Sequence, residues 1–167
     1  MGMEQVTAAH AQETDLSGSA SSAPAAEGAG SASKAKKRVL VIDDSPTIRA
    51  VTELALCQDG YLTRSFPDGV EAMQWLVKSE GWLPDLAIVD IGLPKMDGYE
   101  VMRRLKANPR FAKTVCIMLS ARDGAVDQLK GRLVGARMCL TKPCPVEVLR
   151  RAVRICLASE PEAGQDK

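Results

Sequence analysis

Five polar residues occur at points where apolar runs stop. They are Asp43 and Asp44 after Val39-Leu40-Val41-Ile42, Asp90 after Leu86-Ala87-Ile88-Val89, Ser120 after Thr114 to Leu119, and Lys142 after Met138-Cys139-Leu140-Thr141. Three carboxylates brought together repel one another and raise their own proton affinity, so such a group needs a cation. A hard divalent ion such as Mg²⁺ suits a few carboxylates and keeps waters that a phosphate can replace. A lysine adds a second positive charge for a phosphoryl oxygen, and a serine adds a hydroxyl donor. A central aspartate among such groups is a nucleophile for phosphoryl transfer, with the acyl phosphate as its covalent product. Asp90 is the best placed of the three. Taken singly, each of these residues has a plainer explanation as a helix cap, a turn former or a surface charge. Their weight comes from recurring at four such exits in one chain.

The elements that must position them follow from the pattern. Short apolar runs without alternation predict strands buried on both faces, as in a parallel sheet. Between them lie helical segments. Ser45-Pro46 gives an N-cap followed by proline at the first helical position, and the helix runs through Ile48, Val51, Leu54 and Ala55 to Gln58, stopping near Gly60. Tyr61 to Ser65 reads as a shorter strand. Asp68-Gly69-Val70-Glu71 reads as a capping box opening a helix with Val70, Met73, Leu76 and Val77 on one stripe. Later helices carry Val101, Met102 and Leu105, then span about Asp123 to Leu133, and last about Pro145 to Leu157 with Val146, Leu149, Val153 and Cys156 or Leu157 inward. Five strand–helix repeats predict an α/β, doubly wound, five-stranded parallel sheet of order 2-1-3-4-5 with five helices. In such sheets the site lies beyond the carboxyl ends of the strands, where all five polar residues fall.

Composition narrows the function. Acids and bases nearly cancel, at a formal net charge of +1, which gives no electrostatic case for nucleic acid or an anionic membrane. No apolar run approaches the ~20 residues that span a bilayer, and no signal peptide is evident, so no membrane insertion is expected. The cysteines at 57, 116, 139, 144 and 156 are scattered and form no C-x-x-C, which reads as reduced thiols in a cytoplasmic protein. The single histidine, His10, lies in a polar stretch, so the folded part can hold neither a Ser-His-Asp triad nor a histidine-rich zinc site. Residues 1–36, rich in Ala, Ser and Gly, read as a disordered extension, 37–157 as the domain, and 158–167 as a disordered tail. With so little chain after the last helix, no DNA-binding output domain is expected.

Ile42-Asp43-Asp44-Ser45, Asp90 to Gly98 (DIGLPKMDG), Leu119-Ser120-Ala121 and Leu140-Thr141-Lys142-Pro143 resemble the motifs of bacterial response-regulator receiver domains, of flavodoxin-like fold. The resemblance implies a phosphoacceptor signalling protein, not an enzyme, in which Asp90 accepts phosphate from a histidine kinase or phosphotransfer domain, with at most self-phosphorylation from small donors and slow self-dephosphorylation. It implies that Asp44, Asp90 and the backbone carbonyl of Gly92 hold Mg²⁺, with Asp43 helping through water. It further implies that Ser120 and Lys142 contact the phosphoryl group and that Lys142-Pro143 is cis.

Asp43 to Arg49, and Met118 to Gly124 leading into Lys130 to Gly135, resemble the single-domain regulators of twitching motility and pilus-type chemotaxis-like systems. That implies output by protein–protein contact with a component of the pilus motor or its regulation. A flagellar chemotaxis regulator and a receiver-like scaffold that is never phosphorylated are the alternatives. An aspartyl phosphatase is disfavoured, because the position two past Asp90 is Gly92, which has no proton to donate. Two positions depart from the family pattern. Cys139, the switch position, and Cys144 stand where receivers commonly carry aromatic rings. At the rim, Arg122 is expected to shield a phosphoryl group from water and so lengthen its life.

Overall fold

The computed structural model describes residues 35–121 and 125–158. The elements alternate: β1 (Arg38–Ile42), α1 (Pro46–Gln58), β2 (Leu62–Phe66), α2 (Gly69–Lys78), β3 (Leu86–Asp90), α3 (Gly98–Ala107), β4 (Val115–Ser120), α4 (Ala125–Leu133), β5 (Met138–Thr141) and α5 (Val146–Ala158). The strands form one sheet in the order β2-β1-β3-β4-β5, and every neighbouring pair is parallel. This is the doubly wound order expected from the sequence.

Two apolar layers hold the sheet. On one face, Leu40, Ile42, Ala87, Val89 and Met118 pack with Leu76 of α2 and Val101, Met102 and Leu105 of α3. On the other, Val39, Val41, Ile88, Ile117 and Leu119 pack with Leu56 of α1 and Leu149, Val153 and Cys156 of α5. Consecutive residues of β1, β3 and β4 thus point to opposite layers, which is why these runs are continuously apolar rather than alternating.

The helices start where their caps dictate. Ser45 accepts a hydrogen bond from the Ile48 amide, Asp68 from Glu71 and Asp97 from Glu100. Two helices bury a narrower face than their apolar residues mark, and in α2 Val77 departs from the expected stripe. In α1 the buried residues are Thr52, Ala55 and Leu56, while Ile48, Val51 and Leu54 are exposed. In α2, Ala72 and Leu76 are buried and Val77 is 60 % exposed. The apolar residues alone mark a band wider than the face that meets the sheet, and small or hydroxyl residues (Ala55, Ala72, Thr52) let the helices sit close. Strand β2 is displaced by one residue, to Leu62–Phe66, and α5 continues through Ala158. The expected disorder of residues 1–34 and 159–167 lies outside the described residues.

Candidate functional site

The register sets the site's geometry. Ile42 of β1 pairs with Val89 of β3, so Asp43 emerges level with Asp90. Asp90 itself pairs with Leu119, and Ser120 with Thr141, which puts Ser120 and Lys142 one step further out. Asp43 and Asp90 are buried, at 0 % and 5 % exposure, and Asp44 is exposed.

Lys142 spans β4 with its long side chain and joins the two buried acids. Its Nζ donates to Asp43 Oδ2 and to Asp90 Oδ2, each at 2.6 Å. Burial is the strongest single influence on this ammonium and opposes its charge. The bonds to Asp43 and Asp90 together outweigh it, leaving the Lys142 pKa above the ordinary lysine value. The other Asp43 oxygen accepts the Ser45 amide at 2.9 Å, and Asp90 Oδ1 accepts the Gly92 amide at 3.0 Å. Both carboxylates are thereby fixed in orientation.

Backbone constraints hold the loops that carry these groups. Arg49 Nη1 donates to the Asp43 carbonyl at 2.6 Å and the Asp44 carbonyl at 3.1 Å, so the first turn of α1 clamps the β1–α1 loop. A Cβ on Gly98 would lie 2.2 Å from the Asp90 carbonyl oxygen, so only glycine lets α3 start this close to the strand end. Within the same loop Lys95 has a φ of 64°, and its ammonium donates to Asp68 Oδ2 at 2.6 Å. The Lys142-Pro143 bond is cis, as expected.

One oxygen from each of Asp43, Asp44 and Asp90 lies within 4.8 Å of the other two. This all-oxygen, two-thirds buried donor set fits a hard divalent cation. Asp43, Asp44, Asp90 and Lys142 therefore come together as expected from the strand exits.

Ser120 differs. It is buried, but its Oγ donates to Asp127 Oδ2 on α4 at 2.9 Å, and Tyr99 of α3 donates to Asp127 Oδ1 at 3.0 Å. Ile91, Gly92, Tyr99, Ser120, Ala121 and Asp127 line one cleft beside Asp90. Asp127, Tyr99, Arg49 and Lys95 were not foreseen as site residues. Asp127, Tyr99 and Lys95 take their roles from contacts between distant elements, whereas Arg49 acts within its own loop and helix. Cys139 is half-buried and fills the space that a Cβ on Gly131 would need, its Sγ lying 2.4 Å from that position. Arg122 lies outside the described residues.

A buried aspartate, an acid cluster and a lysine meet at the carboxyl edge of a 2-1-3-4-5 sheet. The chain belongs to the response regulator receiver domain family, which it matches over residues 39–154. Protein PilG of Pseudomonas aeruginosa is 39% identical over 117 residues, covering 70% of this chain and 84% of PilG. The DNA-binding regulator RpaA of Synechocystis is 36% identical over 120 residues, covering 72% of this chain and 48% of RpaA. The chain thus spans about half the length of that transcriptional regulator. The Vibrio cholerae chemotaxis protein CheY4 superposes with a TM-score of 0.68 at 29% identity, over 74% of this chain and all of that one. Receivers are signalling domains that bind Mg²⁺ in an acidic pocket and work with histidine kinases or phosphotransfer partners. Among the described residues, no helix is long and apolar enough to cross a membrane.

Proposed function

We propose that this chain is a response regulator whose Asp90 accepts a phosphoryl group from a phosphohistidine of a histidine kinase or phosphotransfer protein. The observation that carries this reading is the Lys142 ammonium held 2.6 Å from both Asp43 and Asp90. An Asp90 carboxylate oxygen attacks phosphorus, a P–O bond replaces the donor's P–N bond, and the departing imidazole keeps the bonding pair and takes up a proton. Lys142 is within reach to turn from the carboxylates to a phosphoryl oxygen and neutralise charge there. Ser120 supplies a hydroxyl to another oxygen. Asp43, Asp44, Asp90 and the Gly92 carbonyl would hold Mg²⁺, which when bound supplies positive charge opposite the transferring group. Fixing Asp90 through the Gly92 amide and Gly98 holds the nucleophile ready, so little reorganisation is needed.

Output is by protein contact. The resemblance to twitching-motility regulators supports a pilus or chemotaxis-like pathway, and the long match to PilG supports it over a DNA-binding regulator, of which half is matched. The receiver unit is assigned to residues 37–157, and a cytoplasmic location follows from a kinase-linked role. The test is incubation with Mg²⁺ and acetyl phosphate. The expected result is one acid-stable, base-labile phosphoryl group, absent from Asp90→Ala. Undiminished labelling of Asp90→Ala would overturn the assignment.

A further inference from the structure

The Ser120 hydroxyl has one proton to donate, and here it is given to Asp127. We propose that Asp127 is a positioning residue that competes with a phosphoryl group on Asp90 for the Ser120 proton. The inference rests on the phosphoacceptor reading of Asp90.

Ser120 ends β4, one residue past the partner of Asp90, and its side chain lies in the cleft beside Asp90. Asp127 is in the first turn of α4. The Ser120–Asp127 bond therefore ties the strand end to a helix. A carboxylate only accepts, so in this bond the proton is the one on the Ser120 hydroxyl. A phosphoryl oxygen is an equally charged acceptor. The two bonds exclude each other, and whatever Asp127 contributes to the unphosphorylated state is subtracted from phosphoryl binding.

Tyr99 fixes the far side of the carboxylate. Burial first, and then its bond to Asp127, push the Tyr99 pKa up to about 12, so the phenol stays protonated and remains a donor. When Ser120 turns away, Asp127 loses that donor while keeping Tyr99.

The experiment titrates beryllium fluoride, a non-covalent phosphoryl analogue, into the full chain with Mg²⁺, by calorimetry. The variants are Asp127→Ala, Asp127→Asn, Ser120→Ala and the double variant Ser120→Ala/Asp127→Ala. Removing the competitor should tighten the analogue roughly tenfold in Asp127→Ala, the size of one charge-assisted hydrogen bond. Asp127→Asn keeps a neutral acceptor and should fall between it and wild type; it also carries the test should Asp127→Ala not fold. In the Ser120→Ala background there is no proton to compete for, and adding Asp127→Ala should change affinity by less than about twofold. Ring resonances of Tyr99 should shift more on binding in wild type than in Ser120→Ala, with Tyr61 as the unaffected reference. Unchanged or weaker binding in Asp127→Ala overturns the proposal. Equal tightening in both backgrounds also overturns it, because the effect is then simple charge repulsion. If wild type binds no analogue, the phosphoacceptor reading fails and this inference fails with it.

Discussion

The two sides of the Asp90 strand end are built differently. Toward β1, Asp90 meets charge: buried Asp43, and Lys142, which reaches both acids from the end of β5 across β4. Toward β4 and α4 lies a chain of hydroxyls around one carboxylate, Ser120–Asp127–Tyr99, hung on two helices. The first side is expensive to disturb, because every group in it is a charge removed from water. The second exchanges hydrogen bonds worth about 1 kcal/mol each, with partners that can be replaced. A signalling domain needs both, a rigid place for chemistry and a neighbouring element that responds to it.

The comparison is broken hardest by Lys142→Ala. It leaves Asp43 and Asp90 facing each other without their shared cation, and should cost about 3 kcal/mol of stability. Mg²⁺ should restore part of the loss by binding the folded state, seen as a larger Mg²⁺-induced rise in Tm than in wild type. Gly98→Ala drives a Cβ into the Asp90 carbonyl, where backbone cannot give way, and should cost about 2 kcal/mol with slower phosphorylation from acetyl phosphate. On the other side Tyr99→Phe removes one donor to Asp127 and should cost about 1 kcal/mol or less in denaturant titration, well below the Lys142 effect. An equal loss for Tyr99→Phe and Lys142→Ala would erase the distinction.

The smallest effect concerns the loop beneath both sides. The bond from Lys95, followed by the amides of α2, holds the Asp68 carboxyl below its ordinary pKa. A depressed carboxyl contributes stability above its unfolded pKa, about 3.9, and loses it as pH falls through the folded value. Lys95 is largely exposed, so Asp68→Asn should cost only about 0.5 kcal/mol at neutral pH. The difference from wild type should shrink to nothing in strong acid, as followed by melting across pH.

The charged side was legible in the sequence and the relay was not. Asp43, Asp90 and Lys142 each end an apolar run, and parallel strands with right-handed crossovers leave only one edge for them to share. Ser120 was placed on that edge for the same reason. Its partner was not, because Asp127 lies seven residues on and Tyr99 twenty-eight residues before Asp127, on helices whose rotation about the sheet no strand rule sets. The inward face of α1 was not legible either: Ile48, Val51 and Leu54 are apolar but exposed, and Thr52, which is buried, counts as polar in any apolar pattern. Gly98 was visible as the last residue of the DIGLPKMDG motif, but its contact with the Asp90 carbonyl was not.

The most direct test of the phosphoacceptor claim is to trap the modified side chain. After phosphorylation with acetyl phosphate and Mg²⁺, borohydride reduces an acyl phosphate to an alcohol, turning aspartate into homoserine, which peptide mass spectrometry locates. The account predicts homoserine at position 90 and nowhere else in the chain. Homoserine at 43 or 44, or an unaltered position 90 in phosphorylated protein, would contradict it.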